Sequence, residues 1–87
     1  MNEFLIKNYI SKITTKDIDS FARKNNIELN KEELKLIENY IKSDWKTIIY
    51  GNPESILKDL KQKLNNEKYQ KIENLYIVSK NKYKYYL

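Results

Sequence analysis

The chain has 87 residues, with 17 Lys and Arg against 12 Asp and Glu, a formal net charge of +5, and 40% hydrophobic residues; that is one domain with a modest core, and it argues against wholesale disorder. There is no Cys and no His, which excludes disulfides, thiol nucleophiles, the usual zinc sites and imidazole acid–base chemistry. One Gly and one Pro leave few turns, which disfavours a many-stranded sandwich or barrel.

Helical spacing dominates from the start. Phe4, Leu5, Tyr9, Ile10 and Ile13 recur every three to four residues, the pattern of an amphipathic first helix. Thr14-Thr15-Lys16-Asp17 is a capping signature for a second helix, whose expected buried stripe is Ile18, Phe21 and Ala22. Asn25-Asn26 ends it, because Asn tolerates the left-handed conformation. Ile27-Glu28-Leu29 alternates but is too short for more than a bridge of extended chain. Asn30-Lys31-Glu32-Glu33 then caps a third helix with Leu34, Ile37, Tyr40 and Ile41 on one face.

The end of that helix is open to two readings. Trp45 and Ile48 continue its stripe toward Tyr50, whereas the β-formers Thr47-Ile48-Ile49-Tyr50 favour an extended segment after Ser43. The second is preferred, and it allows a minimal two-stranded bridge between Ile27–Leu29 and Thr47–Tyr50. Gly51-Asn52-Pro53 is the strongest punctuation: a left-handed Gly, an N-capping Asn and a Pro in the first helical turn. The fourth helix turns Ile56, Leu57, Leu60 and Leu64 inward, and Asn65-Asn66 breaks it. A fifth carries Tyr69, Ile72, Leu75, Tyr76 and Tyr83, and the tail 80–87 loses the pattern and frays. The expected fold is all-α: one domain over 1–87, a single small bundle of four to five short helices, with Phe21, Ile37, Ile41, Leu57, Leu60 and Ile72 in its core.

The sequence Ile13-Thr14-Thr15-Lys16-Asp17, then Phe21-Ala22-Arg23-Lys24 and Ile27-Glu28-Leu29-Asn30-Lys31-Glu32, followed by Ile48-Ile49-Tyr50 and the helix with Leu57 and Leu60, resembles the small YqfT-like family of Gram-positive, often spore-forming bacteria. The resemblance covers about residues 5–64 and departs near Trp45 and in the Tyr-Lys-rich C-terminus. It implies a short helical cytoplasmic protein and carries over no catalytic or binding residue.

The residues offer little chemistry. Asp17 with Asp19 and Glu32 with Glu33 are the close acidic pairs, and neighbours one or two apart on a helix point in different directions. There is no Gly-rich phosphate loop. The segment Asn25–Asn30 lacks the Gly and nearly all the acids of a calcium loop. No catalytic residue, metal ligand or cofactor is expected, and the chain is not read as an enzyme. The longest apolar runs fall far short of the ~20 residues of a spanning helix and of the ~7–15 of an export signal, so a cytoplasmic protein is the expectation.

Charge is more informative. Residues 1–44 hold eight basic and eight acidic side chains, whereas residues 45–87 hold nine and four. The acid-free end interleaves Lys80, Lys82 and Lys84 with Tyr83, Tyr85 and Tyr86, a set able to track a phosphate backbone and stack bases. Against this, 16 Lys to one Arg is a poor inventory for base readout. The Lys, Ile, Asn and Tyr surplus is also what an AT-rich genome produces. Trp45, the single Trp, is either a core plug or an interface anchor. The function expected first is a small protein-interaction or regulatory module. The alternative is non-specific nucleic-acid or ribonucleoprotein binding through the basic C-terminal half. The candidate partner-binding residues are Trp45, Lys80, Lys82, Tyr83, Lys84, Tyr85 and Tyr86.

Overall fold

The capping residues read from the sequence start helices in the computed structural model, which describes residues 3–83. Among those residues there are five helices and no strand: α1 (Glu3–Ser11), α2 (Thr15–Lys24), α3 (Lys31–Ile49), α4 (Glu54–Lys63) and α5 (Asn66–Tyr83). The Asp17 N–H donates to the Thr14 hydroxyl at 3.2 Å and the Thr14 N–H donates back to the Asp17 carboxylate at 3.0 Å. Asn30 and Glu33 make the same reciprocal pair at 2.8 and 2.9 Å. Each box satisfies two N–H groups that the first turn would otherwise leave unpaired.

α2 ends as its Asn pair predicts. Asn26 takes φ 62°, the Ile27 N–H donates to the Ala22 carbonyl at 2.8 Å and the Asn26 N–H to the Arg23 carbonyl at 3.1 Å. This is the double closure of a Schellman turn, and it delivers Ile27, 2% exposed, onto Ala22 in the core. The alternation of Ile27-Glu28-Leu29 survives as burial: Ile27 and Leu29 point in and Glu28 points out.

Three expectations are corrected. Thr47–Tyr50 is not extended, and the bridge to Ile27–Leu29 does not form; α3 runs through to Ile49. β-Propensity loses here to packing, since Trp45, Ile48 and Ile49 each join core clusters from helical positions. The break felt near Ser43 is a kink, with Asp44 at φ −123° and ψ 24°. The Ser43 hydroxyl donates to the Asn39 carbonyl at 2.6 Å, a back-bond that bends helices. Gly51 is not left-handed. It is small because a Cβ there would stand 3.2 Å from the Thr47 backbone. α5 continues through Lys80 and Lys82 to Tyr83, and the rest of the tail lies outside the described residues.

α3 is the central shaft. α1 and α2 pack against it on one side, and α4 and α5 pack against each other on the other. Ile6 and Ile10 of α1 close over Trp45, with Ile13, Ile41 and Ile49 around them. Leu60, Ile56, Leu64 and Tyr69 join α4 to α5 and rest on Leu36, Ile37 and Tyr40 of α3. Three polar ties hold the α4/α5 pair to α3. The Tyr40 hydroxyl donates to Asp59, the Lys68 ammonium donates to Glu33 at 2.8 Å, and the Tyr76 hydroxyl donates to the Ile48 carbonyl at 2.9 Å. The radius of gyration, 12.6 Å, is close to the ~12 Å of a compact domain of this length.

Candidate functional site

The two helix groups do not close fully over α3. Between them lies a cleft of about 400 Å³ to which all five helices contribute. Its floor is the face of α3 that carries Ile37, Tyr40, Ile41 and Ile48. One wall is built by Tyr9, Ile18, Phe21 and Ala22 of α1 and α2. The other is built by Leu57 and Leu60 of α4 and by Ile72, Leu75 and Tyr76 of α5. The cleft opens to solvent where Tyr9 and Phe21 stand, 71% and 55% exposed.

This opening explains what the apolar stripes could not. Leu60 is buried as expected, but Ile37, Ile41, Leu57 and Ile72 are only half-buried, because they line the cleft. Phe21 is the correction: it was placed in the core and lies exposed at the cleft mouth. On α1 the buried side is Ile6 and Ile10, while Phe4, Leu5 and Tyr9 face outward. The first helix is apolar on two sides, and only docking against Trp45 selects one of them.

The polar groups on the cleft floor are already committed. Tyr40 is raised from 10.0 to about 12, first by its hydrogen bond to Asp59 and then by burial and the Asp59 charge. The same bond, with the Lys63 ammonium at 3.2 Å, holds Asp59 below the ordinary carboxylate range. Asp17, on the cleft wall, is lowered by the Thr14 N–H and hydroxyl. Elsewhere, Glu38 is 6% exposed. Burial pushes its carboxyl up, but ion pairs to Lys35 at 3.2 Å and Lys42 at 3.4 Å outweigh it and the net shift is downward. These are anchored structural charges. Among the described residues no three Asp or Glu side chains gather as a metal site.

The residues singled out from the sequence do not assemble into one surface among the described residues. Trp45 is 8% exposed and packs with Ile6 and Ile10, the core-plug alternative, although its edge borders a shallow depression with Phe4 and Lys7. Lys80 and Lys82 are exposed on the last turns of α5. The Lys80 ammonium lies 5.7 Å from the centroid of the Tyr76 ring, beside the cleft. The side chain of Tyr83, and Lys84, Tyr85 and Tyr86, lie outside the described residues.

Folding also redistributes the basic excess of residues 45–87. Lys46 pairs with Glu3 at 2.8 Å and Lys68 with Glu33 at 2.8 Å, so acids of the first half neutralise lysines of the second. Lys63 and Lys71 pair within their own helices. Tyr69 is buried, its hydroxyl donating to Glu73 at 2.7 Å. That bond and burial raise its pKa. Tyr69 therefore presents no free face for stacking.

Sequence reasoning missed the cleft because its residues read as core. A signal was present: Leu5 and Tyr9 form a second apolar stripe beside Ile6 and Ile10. Compared with known protein families, curated proteins and solved structures, the chain matches none. What fold and site together define is a small helical bundle with an open apolar cleft across its central helix.

Proposed function

We propose that this protein is a small protein-interaction module whose cleft seats the apolar face of a partner helix. The observation that carries the reading is the cleft itself, lined mostly by apolar side chains, with Asp17 and Ser79 among them, and open at Tyr9 and Phe21. Helix-in-groove recognition needs a trough between helices that accepts side chains spaced i, i+3, i+4 and i+7. A site for a small polar molecule would turn several unengaged polar groups inward. Here the Tyr40 and Tyr76 hydroxyls are spent on Asp59 and on the Ile48 carbonyl. Of the titratable groups on the same surface, Asp17 serves the α2 cap and the Tyr40 and Tyr76 hydroxyls are hydrogen-bonded within the fold.

The test is a titration of isotope-labelled protein with a synthetic amphipathic peptide. The peptide carries one Leu stripe and equal numbers of Lys and Glu on its polar face. Amide shifts are expected at Phe21, Ile37, Leu57, Ile72 and Leu75, with Ile6 and Trp45 unchanged. No shift, or shifts confined to residues away from the cleft, would end the proposal.

A further inference from the structure

The helix α1 carries a second apolar stripe that stays in water. Leu5 and Tyr9, four residues apart, share one side of the helix. Leu5 is 58% exposed and Tyr9 more so, while Ile6 and Ile10 dock against Trp45 on another side. Tyr9 also lines the cleft, so the stripe runs into the cleft mouth, where Phe21 stands exposed. One molecule therefore presents, side by side, a short apolar helix face and an apolar cleft of the kind that receives one. Charge does not choose the occupant. Among the described residues the charged group in the lining is Asp17, which serves the α2 cap. The turns beside the lining carry both signs, Lys61 and Lys80 as well as Glu54 and Glu73.

We infer that the partner is a second copy of this chain, related by a twofold axis that lays the Leu5–Tyr9 stripe of each copy across the cleft mouth of the other. This rests on the reading of the cleft as a helix site. Area favours the pairing. A stripe of two side chains is small for a one-way contact, but twofold symmetry makes every contact twice. A dimer of standard size covers ~800 Å² on each copy, about 65% of it apolar. Tyr9 and Phe21 alone leave on the order of 250 Å² of aromatic surface in water, about half of that apolar share. Leu5 and the half-buried lining residues Ile41, Leu57 and Ile72 extend the same patch. The net +5 on each copy opposes association, and salt screens that repulsion. Pairing through apolar surface against a like-charge repulsion has a signature: it strengthens as salt rises.

Sedimentation equilibrium of the full chain tests this. Between about 5 and about 500 μM protein the average mass should climb from near 10.6 kDa toward twice that value, as mass action requires of a reversible dimer. Raising NaCl from about 50 to about 500 mM should tighten the dimer by about threefold or more. A dimer that weakens with salt overturns the apolar pairing. Leu5 lies on the stripe but outside the cleft lining, so Leu5→Glu removes the inserted face and spares the cleft. This variant should stay monomeric, melt with the wild type as exposed substitutions do, and still bind the Leu-stripe peptide with equal Lys and Glu (the balanced peptide). Leu5→Gln gives the same comparison without the added charge. Val78→Glu, at a comparably exposed position on α5 outside the lining, should dimerise like the wild type. A wild-type chain that remains monomeric at about 500 μM, or a dimer that survives both Leu5 variants, overturns the second copy and leaves the helix site standing for a foreign partner. If Leu5→Glu is monomeric but the balanced peptide shifts none of its cleft amides, the helix site itself falls and the pairing falls with it.

Discussion

At the scale of single residues, helical spacing identifies which side chains are apolar faces but not how far each is buried. Leu60 and Phe21 sit on equally convincing stripes, yet Leu60 is 6% exposed and Phe21 55%. Leu60 touches α3 and α5 partners through its cluster, whereas Phe21 reaches the side of the bundle that stays open. Leu60→Ala should therefore cost ~2–5 kcal/mol through lost contacts and a residual void, a large part of what a domain of this size has to lose. Phe21→Ser should shift stability by less than about 0.5 kcal/mol, as exposed substitutions do, while weakening the balanced peptide. Thermal melts of the two variants, run beside the peptide titration, check the pair. Two variants that melt alike would remove the distinction between core and cleft.

At the scale of elements, the helix starts were legible and the ends less so. The starts at Thr14 and Asn30 are set by side chains within three residues, so local sequence is enough. The α4 start is softer. The Asn52 side chain accepts the Glu54 N–H at 3.0 Å, but Pro53 rather than Asn52 is the cap and the helix begins at Glu54. Asn30→Ala should cost about 1 kcal/mol, read as a drop of roughly 4–8 °C in Tm for so small a domain. Asn30→Asp should restore most of it. Unchanged melting in Asn30→Ala would mean that Lys68, which also holds Glu33, fixes this helix end by itself. The end of α3 was misread, because propensity favours extension at Thr47–Tyr50 while packing favours the helix. Which side wins depends on Ile6 and Ile10, some forty residues away in the chain.

At the scale of the whole molecule, the α4/α5 pair is held to α3 partly through Tyr40 and Asp59, and that tie has a signature in pH. Folding raises Tyr40 from 10.0 to about 12, so its contribution is intact below pH 10 and is lost as pH rises through about 12. Asp59 is lowered, so its contribution is present above the ordinary carboxylate range and is lost as pH falls through the depressed value. Tyr40→Phe should leave a shallower loss of stability on the alkaline side, with the part due to Tyr69, also raised, remaining. Denaturant midpoints measured across the alkaline range give the comparison. Superimposable wild-type and Tyr40→Phe profiles would show that this contact does not hold the two groups together.

What the sequence determined by itself is local. The lack of Cys and His, the two capping boxes, the left-handed Asn26 and the helical spacing of α4 and α5 are each set within a few residues, where short-range sterics and hydrogen bonds decide. The tertiary structure alone decided the rest. It chose Ile6 and Ile10 over Leu5 and Tyr9 as the docking side of α1, and it kept residues 47–49 helical by burying Trp45 and packing Ile48 and Ile49 against the core. It neutralised Lys46 and Lys68 with acids distant in sequence. It also left the two helix groups apart over Ile37 and Ile41, turning residues that read as core into the walls and floor of a cleft. Periodicity reports that a face is apolar. Whether a neighbour covers that face depends on how separate helices stack, and that information is spread over the whole chain.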